Sequence, residues 1–377
     1  MVREGVNAER AGKRVLALVT DAYGGYGGIA AYNRDVIDAL AEDESIASII
    51  TLPRLVPQPV TGVPAKVEFD ATSAGGIFRF VRRALRHALF GGHFDLVYCA
   101  HINHVPLAWL LSKLTGAPWV LCLYGYEGWQ KTGRSLVDRL TLKADHYISL
   151  SQLTLDRFRT IWPVDEARCT VVHNAIHMEE FAEGPKNPAL EERYGLAGKK
   201  VLMTFGRMDP REQAKGFDRV IAQLPRLRET IPNIAYLACG DGGDRPRLEA
   251  LADEAGVRDR VVFAGMIDEA EKADHYRLAD LYVMPSKYEG FGFVFLEAMA
   301  CGIPVVASTI DGGREAVRLG EIGQMVDPYD AEALEQAIRR GLAQPRGIPA
   351  GLAFFSYANF RDRIQQALRP IMAGKSA

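Results

Sequence analysis

Two glutamates, Glu289 and Glu297, bracket a glycine-rich turn in the stretch P-S-K-Y-E-G-F-G-F-V-F-L-E-A-M-A-C-G-I-P-V-V-A-S, residues 285–308. Gly290 and Gly292 let the chain turn sharply around Phe291. They also bring backbone N–H groups to the mouth of a short helix, a suitable seat for a phosphate. From Phe293 to Cys301 only Glu297 is not apolar, so the helix is expected to be buried on nearly all sides and to stop at Gly302. A carboxylate in such a helix is costly unless it has a partner or faces water. Either Glu297 belongs to a structural ion pair and Glu289 to a solvated loop, or both carboxylates line one ligand site with the glycines between them.

A second polar element, G-R-M-D-P-R-E-Q-A-K-G-F, follows the predicted strand Lys200–Phe205. Arg207 and Lys215 flank it. In loops such side chains are usually solvated, but two cations at a strand end also suit a diphosphate: arginine forks onto oxygens and lysine adds a compact charge. Near the amino end, Gly25, Gly27 and Ala30 fit the G-x-G-x-x-A dinucleotide pattern. The next predicted strand, Ile46–Leu52, runs into Pro53 and Arg54, with no acid placed to hold an adenosine ribose. The turn at Gly27 and Gly28 therefore reads as a backbone-lined anion or sugar site better than as an NAD site.

The elements that must position these groups alternate between apolar strands and amphipathic helices. The first half predicts strands at Lys13–Thr20, Ile46–Leu52, Lys66–Phe69, Asp95–Ala100, Trp119–Leu123, His146–Leu150 and Cys169–Val172. His101, Asn103 and His104 stand at one strand end, and Tyr124, Gly125, Tyr126 and Glu127 at another. Phe181–Leu196, carrying E-G-P-K-N-P, reads as a linker. The alternation then restarts, with strands at Lys200–Phe205, Ile234–Cys239, Arg260–Ala264, Leu281–Met284, Pro304–Ala307 and Gln324–Val326. This predicts two Rossmann-like α/β domains, 1–182 and 183–353, and a terminal helical segment, 354–377.

The chain has 377 residues, 48% of them hydrophobic and 24% charged, enough for two cores. A net charge of -2 gives no argument for nucleic acid. Five scattered cysteines without a C-x-x-C suit reduced thiols, and no His/Asp cluster has metal-ligand spacing. The polar start, without an apolar signal region, and the lack of an apolar run near the ~20 residues of a spanning helix lead us to expect a cytoplasmic protein.

From the E-G-F-G opening to the A-C-G-x-P-V-V-A-S close, the 285–308 stretch resembles the E-x7-E segment of the retaining GT-B glycosyltransferases of family 4. The G-R-x(n)-K-G element strengthens the likeness, which is strongest over Gly206–Glu315 and covers nearly the whole chain. The resemblance implies two facing Rossmann-like domains with a central cleft, the final helix returning to the first. It also implies transfer of a hexose, mannose or glucose favoured, from a UDP- or GDP-sugar to a surface glycan or a polyprenyl-diphosphate-linked saccharide. In that scheme Arg207 and Lys215 hold the leaving diphosphate, Glu289 the donor sugar and Glu297 the ribose. The backbone near Met266 meets the base, Gly290, Phe291 and Gly292 line the diphosphate, and no metal is required. Many relatives carry a histidine where this chain has Tyr124. Either Tyr124 supplies a hydroxyl there, or His101 does related work, or no imidazole is needed. A GT-B sugar-nucleotide epimerase and a silent nucleotide-sugar-binding protein are the alternatives.

One helix carries a further signal. Over Ile77–Phe90 the spacing places Ile77, Phe80, Val81, Ala84, Leu85 and Ala88 on one face and Arg79, Arg82, Arg83 and Arg86 on another. Either this is an ordinary domain helix with solvated arginines, or the arginines meet an anionic membrane surface or a lipid-linked diphosphate acceptor.

Overall fold

A computed structural model describes residues 12–210 and 213–373, and in it the apolar runs form thirteen parallel strands in two sheets. The polar start lies outside the described residues, as do Arg211 and Glu212. The first sheet contains β1 (Lys13–Val19), β2 (Ile46–Pro53), β3 (Val67–Phe69), β4 (Leu96–Cys99), β5 (Trp119–Leu123), β6 (His146–Ser149) and β7 (Cys169–Val171). The second contains β8 (Lys200–Phe205), β9 (Ile234–Cys239), β10 (Val261–Gly265), β11 (Leu281–Val283), β12 (Val305–Ser308) and β13 (Gln324–Val326). Their orders are β3-β2-β1-β4-β5-β6-β7 and β10-β9-β8-β11-β12-β13, the doubly wound arrangement in each case. Central strands such as β1 and β9 are buried along nearly their whole length, as they must be when helices cover both faces of a parallel sheet.

The chain divides into two units. Within the described residues the first takes the chain up to Leu150, then Leu155–Val172, then everything from Ala358 on; the second takes Ser151–Thr154 and His173–Tyr357. These divisions fall at 172/173 and 357/358, against the 182/183 and 353/354 read from sequence. The final helix, Tyr357–Met372, contributes its buried face to the first unit. Phe360, wholly buried, meets the edge of Tyr32 at 5.4 Å between centroids. Further along, Gln365 Nε2 donates to the Ala39 carbonyl at 2.8 Å and Arg369 Nε to Asp43 at 2.8 Å.

Several expectations need correction. The segment read as a linker contains a helix, Pro188–Tyr194. The proline that suggested a linker sits at the first helical turn, where its missing N–H costs nothing, and Asn187 caps it through Ala189 N–H at 3.1 Å. The sequence reading also gave residues 151–168 no element, whereas Gln152–Ile161 is helical. In Ile77–Phe90, Phe80, Ala84 and Ala88 are buried as expected, but Ile77 is 51% exposed. It lies in the first turn, beyond the edge of the packed face. Arg83 is ion-paired: Asp70 accepts from its Nε at 2.6 Å and also meets His87 Nε2 at 3.0 Å.

Truncating Phe360 removes a buried aromatic from the first unit. Phe360→Ala should lower unfolding stability by about 3–5 kcal/mol, read as an earlier denaturant midpoint; an unshifted midpoint would show that the final helix is not part of that core.

Candidate functional site

In the second unit the chain leaves β8 toward β9 on one side, and β11 lies on the other, so the sheet reverses its direction of growth between β8 and β11. The loops leaving the carboxyl ends of these two strands diverge there and form a crevice suited to a ligand. They are the two loops that carry Arg207, Lys215 and Glu289. Gly216 makes their approach possible: its φ is +77°, and a Cβ on it would fall 2.5 Å from the Pro285 carbonyl oxygen. Lys287 N–H then donates to the Ala214 carbonyl at 2.9 Å, stitching the loops together. Across this seam the Lys215 ammonium pairs with the Glu289 carboxylate.

Behind Glu289 lies the turn Asp311–Gly312–Gly313 that follows β12. Asp311 is wholly buried and accepts Glu289 N–H on Oδ2 at 3.0 Å and Gly313 N–H on Oδ1 at 3.0 Å. Gly312 N–H donates to the Glu289 carbonyl at 2.8 Å. Only glycine fits at 312, because a Cβ would stand 2.0 Å from the Gly290 carbonyl oxygen. Ser151 Oγ donates to that same oxygen at 2.7 Å. Burial, and secondly the charge of Glu289, push the Asp311 carboxyl up to about 6, its hydrogen bonds offsetting only part of the rise.

The glycine turn after Glu289 ends in the helix Phe293–Ala300, whose N-cap Gly292 offers no side-chain cap, leaving the mouth to backbone donors. Phe291 packs inward against Phe355 and His173. Glu297 is only 6% exposed, and its two oxygens have separate partners: Lys272 Nζ at 2.9 Å and Tyr276 hydroxyl at 2.6 Å. Burial would lower the Lys272 ammonium, but the charges of Glu297 and Glu269 outweigh it and hold its pKa above the ordinary value. The structural ion pair considered for Glu297 is thus real. Lys272 and Tyr276 were not singled out in the sequence, although their i, i+4 spacing in one helix was a readable signal. Met266 lies in the turn after β10, two strands from β8, with 72% of its surface exposed.

The remaining candidates lie in the first unit. Gly27, with φ +81°, is the N-cap of the helix beginning at Gly28, and again no side chain caps that mouth. The Tyr124 hydroxyl is turned inward onto Asn33 Oδ1 at 2.5 Å, and burial raises its pKa well above the ordinary value. His101 accepts Asn103 N–H on Nδ1 at 3.0 Å, which fixes the neutral ring as the Nε2–H tautomer. Burial, only partly countered by Glu127, lowers its pKa. Its neighbour His104 is pushed down to about 3 by burial and by His101. Among the described residues no group of three or more His, Cys, Asp or Glu side chains is placed to hold a metal ion.

Comparison with known proteins matches residues 188–353 to the model for glycosyl transferases group 1, and residues 27–175 to that for the glycosyl transferase 4-like domain. Over 304 residues the chain is 34% identical to the GDP-mannose-dependent alpha-(1-6)-phosphatidylinositol monomannoside mannosyltransferase of Mycolicibacterium smegmatis, covering 74% of this chain and 78% of that protein. The chain belongs to the family 4, or group 1, glycosyltransferases. A similarly named Mycobacterium tuberculosis protein is 29% identical over 366 residues, covering 90% of this glycosyltransferase and 92% of that protein. Among solved structures, Anabaena HepE in complex with UDP-glucose aligns with a TM-score of 0.74 at 20% identity, covering 95% of this chain and 99% of that one. The lipopolysaccharide outer core galactosyltransferase WaaB in its apo form aligns at 0.69 and 18%, covering 94% and 99%. These likenesses identify the fold of this glycosyltransferase as GT-B.

The position of Asp311 carries a pH signature. Its folded-state pKa, about 6, lies above the ordinary value of 3.8, so its contribution is present below pH 4 and lost as pH rises through 6. Relative to wild type, Asp311→Asn should therefore gain up to about 3 kcal/mol between pH 4 and 7. Paired thermal melts across that range check the sign; a constant difference between the two proteins would contradict it.

Proposed function

We propose that this glycosyltransferase is a mannosyltransferase that uses GDP-mannose, acts with retention of anomeric configuration and needs no metal. The observation that carries the proposal is the Lys215–Glu289 pair at the crevice of the second sheet, in a chain whose matched relatives include GDP-mannose-dependent mannosyltransferases. Breaking the bond from C1 to the diphosphate places negative charge on the departing phosphate while the sugar approaches an oxocarbenium-like state. Arg207, Lys215 and the backbone donors around Gly290–Gly292 are assigned to that charge, where preorganised electrostatics lower a barrier most. Glu289 is assigned to the sugar hydroxyls and Glu297, paired with Lys272, to the ribose. The acceptor hydroxyl attacks from the face the diphosphate leaves, and the leaving phosphate takes its proton.

The acceptor we propose is a lipid-linked saccharide bearing an anionic phosphate, as the named relatives' lipid acceptor suggests. His101, a neutral imidazole at the carboxyl end of β4, is assigned to the acceptor side; Tyr124, its hydroxyl engaged by Asn33, is assigned to holding that side in shape. For access to lipid, the helix Ile77–Phe90 offers exposed Phe78, Leu89 and Phe90 beside exposed Arg79, Arg82 and Arg86. No described helix is long and apolar enough to cross a membrane. The docking we propose is reversible and runs through this helix, at the cytoplasmic face of the membrane.

A thermal-shift panel of GDP-mannose, UDP-glucose and ADP-glucose tests the donor. GDP-mannose at a hundred times its dissociation constant should add about 2.7 kcal/mol, and transfer should survive EDTA. A shift with UDP-glucose alone, or activity lost to chelation and restored by magnesium, would contradict the scheme.

Docking is read by co-sedimentation with vesicles containing anionic lipid. At about 1 kcal/mol for each basic residue near such a surface, binding at low salt should disappear in the triple variant Arg79→Gln, Arg82→Gln, Arg86→Gln. Unchanged binding would remove this helix from the proposal.

A further inference from the structure

The turn Asp311–Gly312–Gly313 makes no contact assigned above to donor or acceptor, yet it grips the backbone of Glu289 and Gly290 from behind. Glu289 uses its N–H on the Asp311 carboxylate and its carbonyl on Gly312 N–H. The next residue, Gly290, gives its carbonyl to Ser151. Consecutive peptide groups at the start of the glycine turn are thus fixed by hydrogen bonds from outside the turn. A carboxylate suits this place because two N–H groups converge on it, one on each oxygen. An asparagine offers one oxygen, and its amide nitrogen would face the other N–H donor-to-donor.

We propose that Asp311 is a positioning residue for sugar selection: by receiving Glu289 N–H on one oxygen and Gly313 N–H on the other, it fixes the direction in which the Glu289 carboxylate is presented beside Lys215. The inference rests on the assignment of Glu289 to the donor sugar. Its physical logic is that hydrogen-bonding groups select a ligand only when their supporting shell leaves no room to drift. The carboxylate is also kept at a cost. It is wholly buried close to a second acidic group, and the carboxyl is pushed up to about 6. A buried charge that a fold maintains against its own stability fits a functional constraint better than a packing one.

The role separates from a merely structural one because the nucleotide and the sugar are held by different groups. Calorimetric titration of the full chain with GDP and with GDP-mannose reads both. Asp311→Asn should bind GDP as wild type does but lose about tenfold or more in affinity for GDP-mannose relative to GDP, the scale of a lost hydrogen bond to a charged group. Glu289→Gln should lose that preference in the same way. Should Asp311→Asn fail to fold, Asp311→Ser, which is smaller and accepts one N–H, serves in its place. If Glu289→Gln loses the preference and Asp311→Asn keeps it, or if Asp311→Asn weakens GDP and GDP-mannose equally, the positioning role is overturned while the donor site stands. If wild type binds neither compound, or Glu289→Gln discriminates as wild type does, the donor assignment fails and takes the positioning role with it.

Discussion

The second unit depends on giving partners to two acidic side chains at one helix, Glu297 buried within it and Glu289 half-buried before its mouth. Glu297 sits in an otherwise apolar helix and Glu289 at the mouth of the same helix. An isolated buried carboxylate would take up a proton or unfold its surroundings. Lysines from other elements resolve the problem: Lys272, from the helix before β11, reaches Glu297, and Lys215, from the loop after β8, reaches Glu289. Removing one member of a buried pair typically costs about 3–5 kcal/mol, so Lys272–Glu297 constrains the fold, while Lys215–Glu289, more open to water, does so less. The same groups that neutralise each other without ligand are those assigned to a sugar nucleotide.

The glycines turn this constraint into geometry. At Gly216 and Gly312 a side chain would collide with the main chain of the neighbouring loop. Their absence of a Cβ lets three strand-end loops, those after β8, β11 and β12, share hydrogen bonds directly. The result is a rigid frame around Glu289 built from the main chain, with Asp311 as its buried acceptor.

Much of this was legible in the sequence, for identifiable reasons. Strands such as β8, β9 and β13 and the helix Ile77–Phe90 were read at their observed limits because apolar periodicity and clear breakers bound them. The helix Pro188–Tyr194 was missed because a proline inside a polar stretch reads as a break unless it is recognised as a first-turn residue. Glu289 and Glu297 stood out because carboxylates are unusual beside and within an apolar helix, and Lys215 because it stands with Arg207 in one strand-end loop. Asp311 was not, because aspartate before two glycines looks like any turn; only its complete burial separates it from one. Which arginine of Ile77–Phe90 is ion-paired could not be read from helical spacing, since the partner of Arg83, Asp70, lies outside the helix.

The central claim is that Lys215 and Glu289 act together on the donor. The most direct measurement is the initial rate of sugar transfer from GDP-mannose by wild type, Lys215→Met, Glu289→Gln and the double variant. We expect each single change to lower turnover by about a hundredfold or more, and the double variant to fall well short of the product of the two losses, because the residues form one unit. A single variant that transfers sugar at the wild-type rate would contradict the account.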